Sequence, residues 1–100
     1  MSKELDTIKQ KIAENKEYLR ETYGVEEIGV FGSYVHGDYK PESDVDVVVE
    51  FNENSKTSLF DYMDIQHYLE KKLNKKVDLV TKSGIRPAFR KYILPTIVYI

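Results

Sequence analysis

Three aspartates and a Gly-Ser pair are the residues of this chain whose types and spacing could do chemistry. Gly32-Ser33 is followed, ten residues later, by Asp44-Val45-Asp46, and a third carboxylate stands in Val77-Asp78-Leu79-Val80. A strand sends successive side chains to opposite faces, so residues two apart share a face and lie about 7 Å apart. Asp44 and Asp46 then point one way, and Val45, Val47, Val49 and Phe51 the other. Asp78, flanked by Val77 and Leu79, is costly in an apolar strand unless it meets water, a partner or a cation. If its strand lies beside the second one, it joins Asp44 and Asp46. Three close carboxylates repel one another until a cation sits between them. Hard oxygen ligands without His or Cys suit Mg2+ or Mn2+, which accept substrate phosphates as further ligands. Gly32 lets a ligand approach the backbone closely. The N–H groups of the following turn and the Ser33 hydroxyl face an anion. Phosphate on the turn and metal on the carboxylates are the parts of nucleotidyl transfer.

Taken separately these signals are weak. An Asp-x-Asp on a half-exposed strand is usually a solvated face, and Gly32 and Gly37 alone would pass for turn residues. The joint spacing is what raises the metal-site reading. Ser43 is either a turn-forming or a ligand-binding hydroxyl. His36 is either a surface loop histidine or a phosphate ligand, and His67 reads as structural or solvated.

The elements that must position these residues follow from periodicity. Leu5, Ile8, Ile12 and Leu19 describe an amphipathic helix over 3–22, with Ser2 as its N-cap and Tyr23-Gly24 as its stop. A strand over 26–32 leads into a turn and loop, and a second strand covers 45–51. After the polar connection Asn52–Lys56, Ser58 and Asp61 resemble a capping box. Leu59, Tyr62, Ile65, Leu69 and Leu73 form the next helical face, which Asn74 ends. Residues 77–80 form a short third strand. Ser83-Gly84 turns the chain into a last helix opened by Pro87, and the tail after Pro95 is extended. The pattern predicts one α+β domain over residues 1–100: about three strands in a small mixed sheet packed with helices, in the order α-β-turn-β-α-β-α. Tyr62 and Tyr68 fit helix packing, and Tyr92 and Tyr99 are expected to cover the edge of the core. Lys71-Lys72 and Lys75-Lys76 read as the solvated end of a helix.

Composition narrows the classes. The chain has 100 residues, 41% of them hydrophobic and 32% charged, with a formal net charge of −2, which argues for a globular domain and against direct nucleic-acid binding. With no cysteine there is no disulfide framework or thiolate metal site. No apolar run approaches a membrane span, and the N-terminus lacks the apolar stretch of a signal peptide, so the expected address is the cytoplasm.

Gly32-Ser33, ten residues, Asp44-x-Asp46, with Gly37 and Ser43 in place and Asp78 in a later strand, resembles the DNA polymerase β superfamily of nucleotidyltransferases. Over nearly its whole length the chain is similar to the smallest branch, the minimal nucleotidyltransferase or MNT domain. That resemblance implies that Asp44, Asp46 and Asp78 bind the metal ions, with ATP as substrate and its triphosphate held by Gly32 and Ser33. Where the family often carries Arg, this chain has Tyr34-Val35 and His36, so His36, Lys40 and Arg86 are the candidate cations for the triphosphate. So short a chain has room for the metal and nucleotide core and not for an acceptor-gripping domain. The resemblance implies that a partner supplies the acceptor: a HEPN-type toxin, to which an MNT antitoxin transfers AMP on a tyrosine. The alternative is a non-catalytic antitoxin that neutralises its partner by covering it. A stand-alone enzyme for small molecules ranks last, for want of an acceptor pocket.

Overall fold

Apolar residues at helical spacing build helix α1 over Lys3–Tyr23, burying Leu5, Ile8, Ile12 and Leu19. The computed structural model describes residues 3–53 and 58–100, so the Ser2 cap and residues 54–56 of the polar connection lie outside the described residues. Strand β1 (Val25–Phe31) leads into the one-turn helix α2 (Ser33–His36), and strand β2 spans Val45–Phe51. Helix α3 (Leu59–Leu73) opens on the expected capping box: the Ser58 hydroxyl accepts from the Asp61 N–H while the Asp61 carboxylate accepts from the Ser58 N–H. It ends at Asn74, left-handed at φ 53°. Strand β3 (Val77–Thr81), helix α4 (Pro87–Ile93) and strand β4 (Val98–Tyr99) complete the chain, with short 3-10 turns over Lys82–Gly84 and Leu94–Thr96.

The sheet has four strands, one more than expected, in the order β3-β2-β1-β4. β2 runs antiparallel to β1 and parallel to β3, α3 providing the crossover that a parallel pair requires. β4 pairs Tyr99 with Gly29 and Val98 with Val30. The extended tail was foreseen, but its partner lies some seventy residues away, and nothing local announces the pairing. Gly29 permits it, because a Cβ there would come within 2.6 Å of the Ile97 side chain. β3 borders the sheet with its outer side stoppered. The Val77 N–H donates to Glu70 Oε2 at 3.0 Å, and the Tyr62 hydroxyl donates to the Leu79 carbonyl.

Both faces of the sheet are covered, unequally. Val45, Val47 and Val49 of β2 join Ile28, Val30, Val77 and Leu79 beneath α1 and α3 in the main core. On the other face Val48 packs with Ile85 and Ile97 in a small cluster, flanked by Phe31, Val80, Ile93 and Leu94. Tyr62 and Tyr68 pack against the main core as expected. Tyr92 and Tyr99 do not cover it: they are 66% and 46% exposed, because α4 turns Ile93 inward instead, and register on β4 sets Tyr99 beside Gly29 on the face away from the main core.

Candidate active site

The second face of the sheet carries the chemistry. Register sets Asp46 of β2 directly beside Asp78 of β3 and opposite Phe31 of β1, the residue before Gly32. Alternation sends Val45 and Val47 into the main core, so Asp46 has to emerge on the face shared with Val48. Asp46 is half-buried, while Asp44, one residue before the strand begins, and Asp78 are exposed. Burial, reinforced by the charges of Asp78 and Asp44, pushes the Asp46 carboxyl from the ordinary 3.8 up to about 6. Among the described residues no Lys or Arg is ion-paired with any of the three aspartates.

Gly32 shows how tightly the turn and the carboxylate are fitted. Its backbone lies at φ 80°, ψ −149°, a conformation essentially restricted to glycine. A Cβ on it would lie 2.0 Å from Asp46 Oδ2. The carboxylate therefore occupies the space that any side chain at position 32 would need. The N–H groups of Val35 and His36 both bond to the Gly32 carbonyl, at 3.0 Å each. The N–H groups of Ser33 and Tyr34, which precede them, make no such bond and are the donors left to an anion, with the half-buried Ser33 hydroxyl beside them.

The remaining expected residues are dispersed. Ser43 closes a turn: its hydroxyl accepts from the Lys40 N–H at 2.8 Å, and its own N–H bonds to the Lys40 carbonyl at 2.9 Å. His36 is exposed at the far end of α2 from Gly32. Lys40 and Arg86 are exposed as well. Tyr34, one of the residues standing where the family often has Arg, is 1% exposed. Its ring stacks on Tyr39 with centroids 4.4 Å apart, and its hydroxyl donates to the Ser43 carbonyl at 3.4 Å. It thus ties the Gly32-Ser33 turn to the residue before Asp44.

Sequence reasoning missed Lys75. Instead of ending α3 in solvent, its side chain is only 26% exposed, with Nζ 3.6 Å from Glu4 Oε2 and 5.6 Å from the centroid of the Tyr34 ring. Together with Asn74 and Lys76 it faces Pro41, Glu42, Ser43 and Asp44 across a cleft of about 320 Å³. The one available signal was position: Lys75 immediately follows the αL residue that ends α3, so the chain turns there and does not run on into solvent.

An all-oxygen donor set, crowded and without a counter-charge, fits a hard divalent cation by its chemistry. The three aspartates are not drawn into a finished cage, since among the described residues no group of three acidic or histidine side chains has metal-holding geometry. Asp44 and Asp78, both exposed, are the two that would have to swing inward.

Comparison with known proteins gives a consistent picture. Residues 12–100 match the model of the nucleotidyltransferase domain family. The chain is 44% identical over 96 residues to the protein adenylyltransferase MntA of Thermococcus cleftensis, covering 96% of this chain and 95% of that protein. A solved structure described as a minimal nucleotidyltransferase superposes with a TM-score of 0.71 at 28% identity, covering 91% of this chain and 93% of the other. A chain from a toxin–antitoxin structure solved with AMP-PNP superposes with a TM-score of 0.63 at 25% identity, covering 80% of this chain and 61% of that one.

Proposed function

This chain belongs to the nucleotidyltransferase domain family, in its minimal form, and is an enzyme of that class; from that premise we propose that it transfers AMP from ATP to a tyrosine hydroxyl of a partner protein, a HEPN-type toxin, and acts as its antitoxin. One juxtaposition carries the reading: the Asp46 carboxylate packed against the Gly32 backbone and paired in register with Asp78. It brings an anion-accepting turn and a metal-accepting carboxylate pair to a single point on a rigid sheet. The name of the Thermococcus relative supports transfer to a protein, and the AMP-PNP in a neighbouring structure supports an adenine nucleotide.

In this reading Asp44, Asp46 and Asp78 would hold Mg2+ or Mn2+, which supplies the positive charge that lets a triphosphate approach carboxylates. Gly32, by its lack of a side chain, leaves room for both the carboxylate and a phosphate. The free N–H groups of Ser33 and Tyr34 and the Ser33 hydroxyl bind the outer phosphates and, later, the leaving pyrophosphate. His36 and Ser43 are the further phosphate candidates. The acceptor oxygen gives up its proton to water and bonds to the α-phosphorus. The bond from that phosphorus to the bridging oxygen breaks, and the electron pair leaves with pyrophosphate. β2 and β3 hold the reacting groups in line, which is the main service a protein renders to phosphoryl chemistry.

Label transfer tests the proposal. Purified protein, Mg2+ and α-phosphate-labelled ATP are incubated with lysate of the source organism, in parallel with Asp46→Asn. A labelled protein band with wild type alone is the expected result. If the native partner is present and stays unlabelled, the binding-only antitoxin takes over, the reading that Tyr34 and His36 in place of arginines favour.

A further inference from the structure

We propose that the cleft between the 40–44 turn and the 74–76 connection receives the acceptor, and that Lys75 and Lys76 select a phenol over an aliphatic alcohol. This inference rests on the transfer reading above and adds where the second substrate sits and which side chains recognise it.

The walls of the cleft differ in charge. One holds Pro41, Glu42, Ser43 and Asp44, and the other Asn74, Lys75 and Lys76. In the reading above the triphosphate sits at the Gly32-Ser33 turn, which leaves this cleft to the second substrate. A neutral hydroxyl entering it is a hydrogen-bond donor that the Glu42 carboxylate can accept. At about 320 Å³ the cleft is large enough to take one aromatic side chain. Because Asp44 borders the cleft and also acts electrostatically on Asp46, a group seated there is next to the carboxylate cluster.

The opposite wall confers the selectivity. Lys75 is a placed charge and not a trailing one, held by Glu4 of α1 and by the Tyr34 ring of α2. The Lys76 backbone is fixed by its carbonyl, which accepts from the Val45 N–H at 2.8 Å, and its exposed side chain stands on the same wall. A phenol ionises near pH 10, so two nearby cations can share the negative charge that grows on its oxygen. An aliphatic hydroxyl is a far weaker acid and gains much less from them. In the step itself the phenol proton leaves to water in the open cleft and the oxygen bonds to the α-phosphorus. The α–β linkage then breaks, with its electron pair on pyrophosphate.

The experiment uses N-acetyl-tyrosinamide and N-acetyl-serinamide as acceptor probes with Mg2+ and α-labelled ATP, and compares wild type, Lys75→Met and Lys76→Met. Calorimetry measures the Kd of Mg-ATP for each protein. The expected result is preference for the tyrosine probe by about tenfold or more in wild type. Each variant should lose about tenfold in kcat/KM for that probe, with the Kd of Mg-ATP within about twofold. The same loss is expected in the lysate band. A parallel rise in the Kd of Mg-ATP would assign the lysines to the nucleotide and overturn the proposal. So would equal labelling of the two probes, or variants that label the lysate band as well as wild type does. Wild type that binds Mg-ATP yet labels neither probe nor any lysate protein overturns the transfer reading itself. Lys76, being exposed, provides the second variant should Lys75→Met fail to fold.

Discussion

On the face of the sheet covered by α1 and α3, Val45, Val47 and Val49 lie in a continuous apolar core, none more than 1% exposed. On the opposite face the same strand presents Asp46 and Val48, and among the described residues the buried members of the apolar cluster there are Val48, Ile85 and Ile97. One stretch of seven residues thus serves two masters by alternation alone. The helical face supplies the burial that holds the domain together. The other is left thin enough at one end for carboxylates to meet a ligand. What the contrast teaches is that the surplus of the first face permits the second to hold charges that do not favour folding.

Four substitutions and one change of pH bear on that contrast. The largest effect is expected from Asp46→Asn, which should lower AMP transfer by about 10³-fold while leaving the circular dichroism spectrum intact. Activity near wild type would mean that the carboxylate face is not where the chemistry occurs. Next, Ile12→Ala in the helical core should cost about 3 kcal/mol in urea unfolding, and Ile97→Ala in the small cluster about 1–2 kcal/mol. Equal costs would dissolve the asymmetry. Gly32→Ala combines an unfavourable φ with a Cβ in the space of Asp46, so transfer should drop about 10²-fold for only about 1–2 kcal/mol of stability. A larger stability loss than activity loss would make Gly32 a folding residue first.

The smallest effect is a matter of pH. The Asp46 carboxyl rises from 3.8 to about 6 on folding, so its contribution is full below about pH 3.8 and is lost as pH rises through 6. In metal-free buffer Asp46→Asn should therefore be more stable than wild type at pH 7, by about 1 kcal/mol after allowance for solvent screening of a half-exposed group. The gap should close toward pH 4. Melting curves across that window check it, and a gap of the opposite sign would show that the ionised carboxylate is stabilised by something within the chain.

Much of this was legible from residues alone, for local reasons. The α3 capping box and its Asn74 terminus are encoded within a few residues of where they act. The alternation of β2 fixes which way Asp46 points whatever the sheet looks like. The Gly-Ser and Asp-x-Asp spacing pointed to a candidate site by the coincidence of its parts, and register brings two of them together, Asp46 beside Asp78 and against Gly32. What stayed hidden depends on distant partners. β4 relies on a partner some seventy residues away and on the room that Gly29 leaves for Ile97. Lys75 looked like an ordinary helix end until α1 and α2 supplied Glu4 and Tyr34 around it. Tyr34 itself looked like a missing arginine, whereas packing makes it the brace between the turn and the start of β2.

The stoppered edge of β3 has a consequence of a different kind. An exposed parallel strand of five residues is a template on which a second polypeptide can crystallise its own backbone, the first step toward swapped or fibrous assemblies. Glu70 and Tyr62 spend a carboxylate and a hydroxyl on filling that template from within. Glu70→Ala with Tyr62→Phe should accordingly shorten the lag before light scattering appears on heating. With the Val77 N–H and the Leu79 carbonyl already taken, a partner strand finds two of its backbone partners on that border occupied.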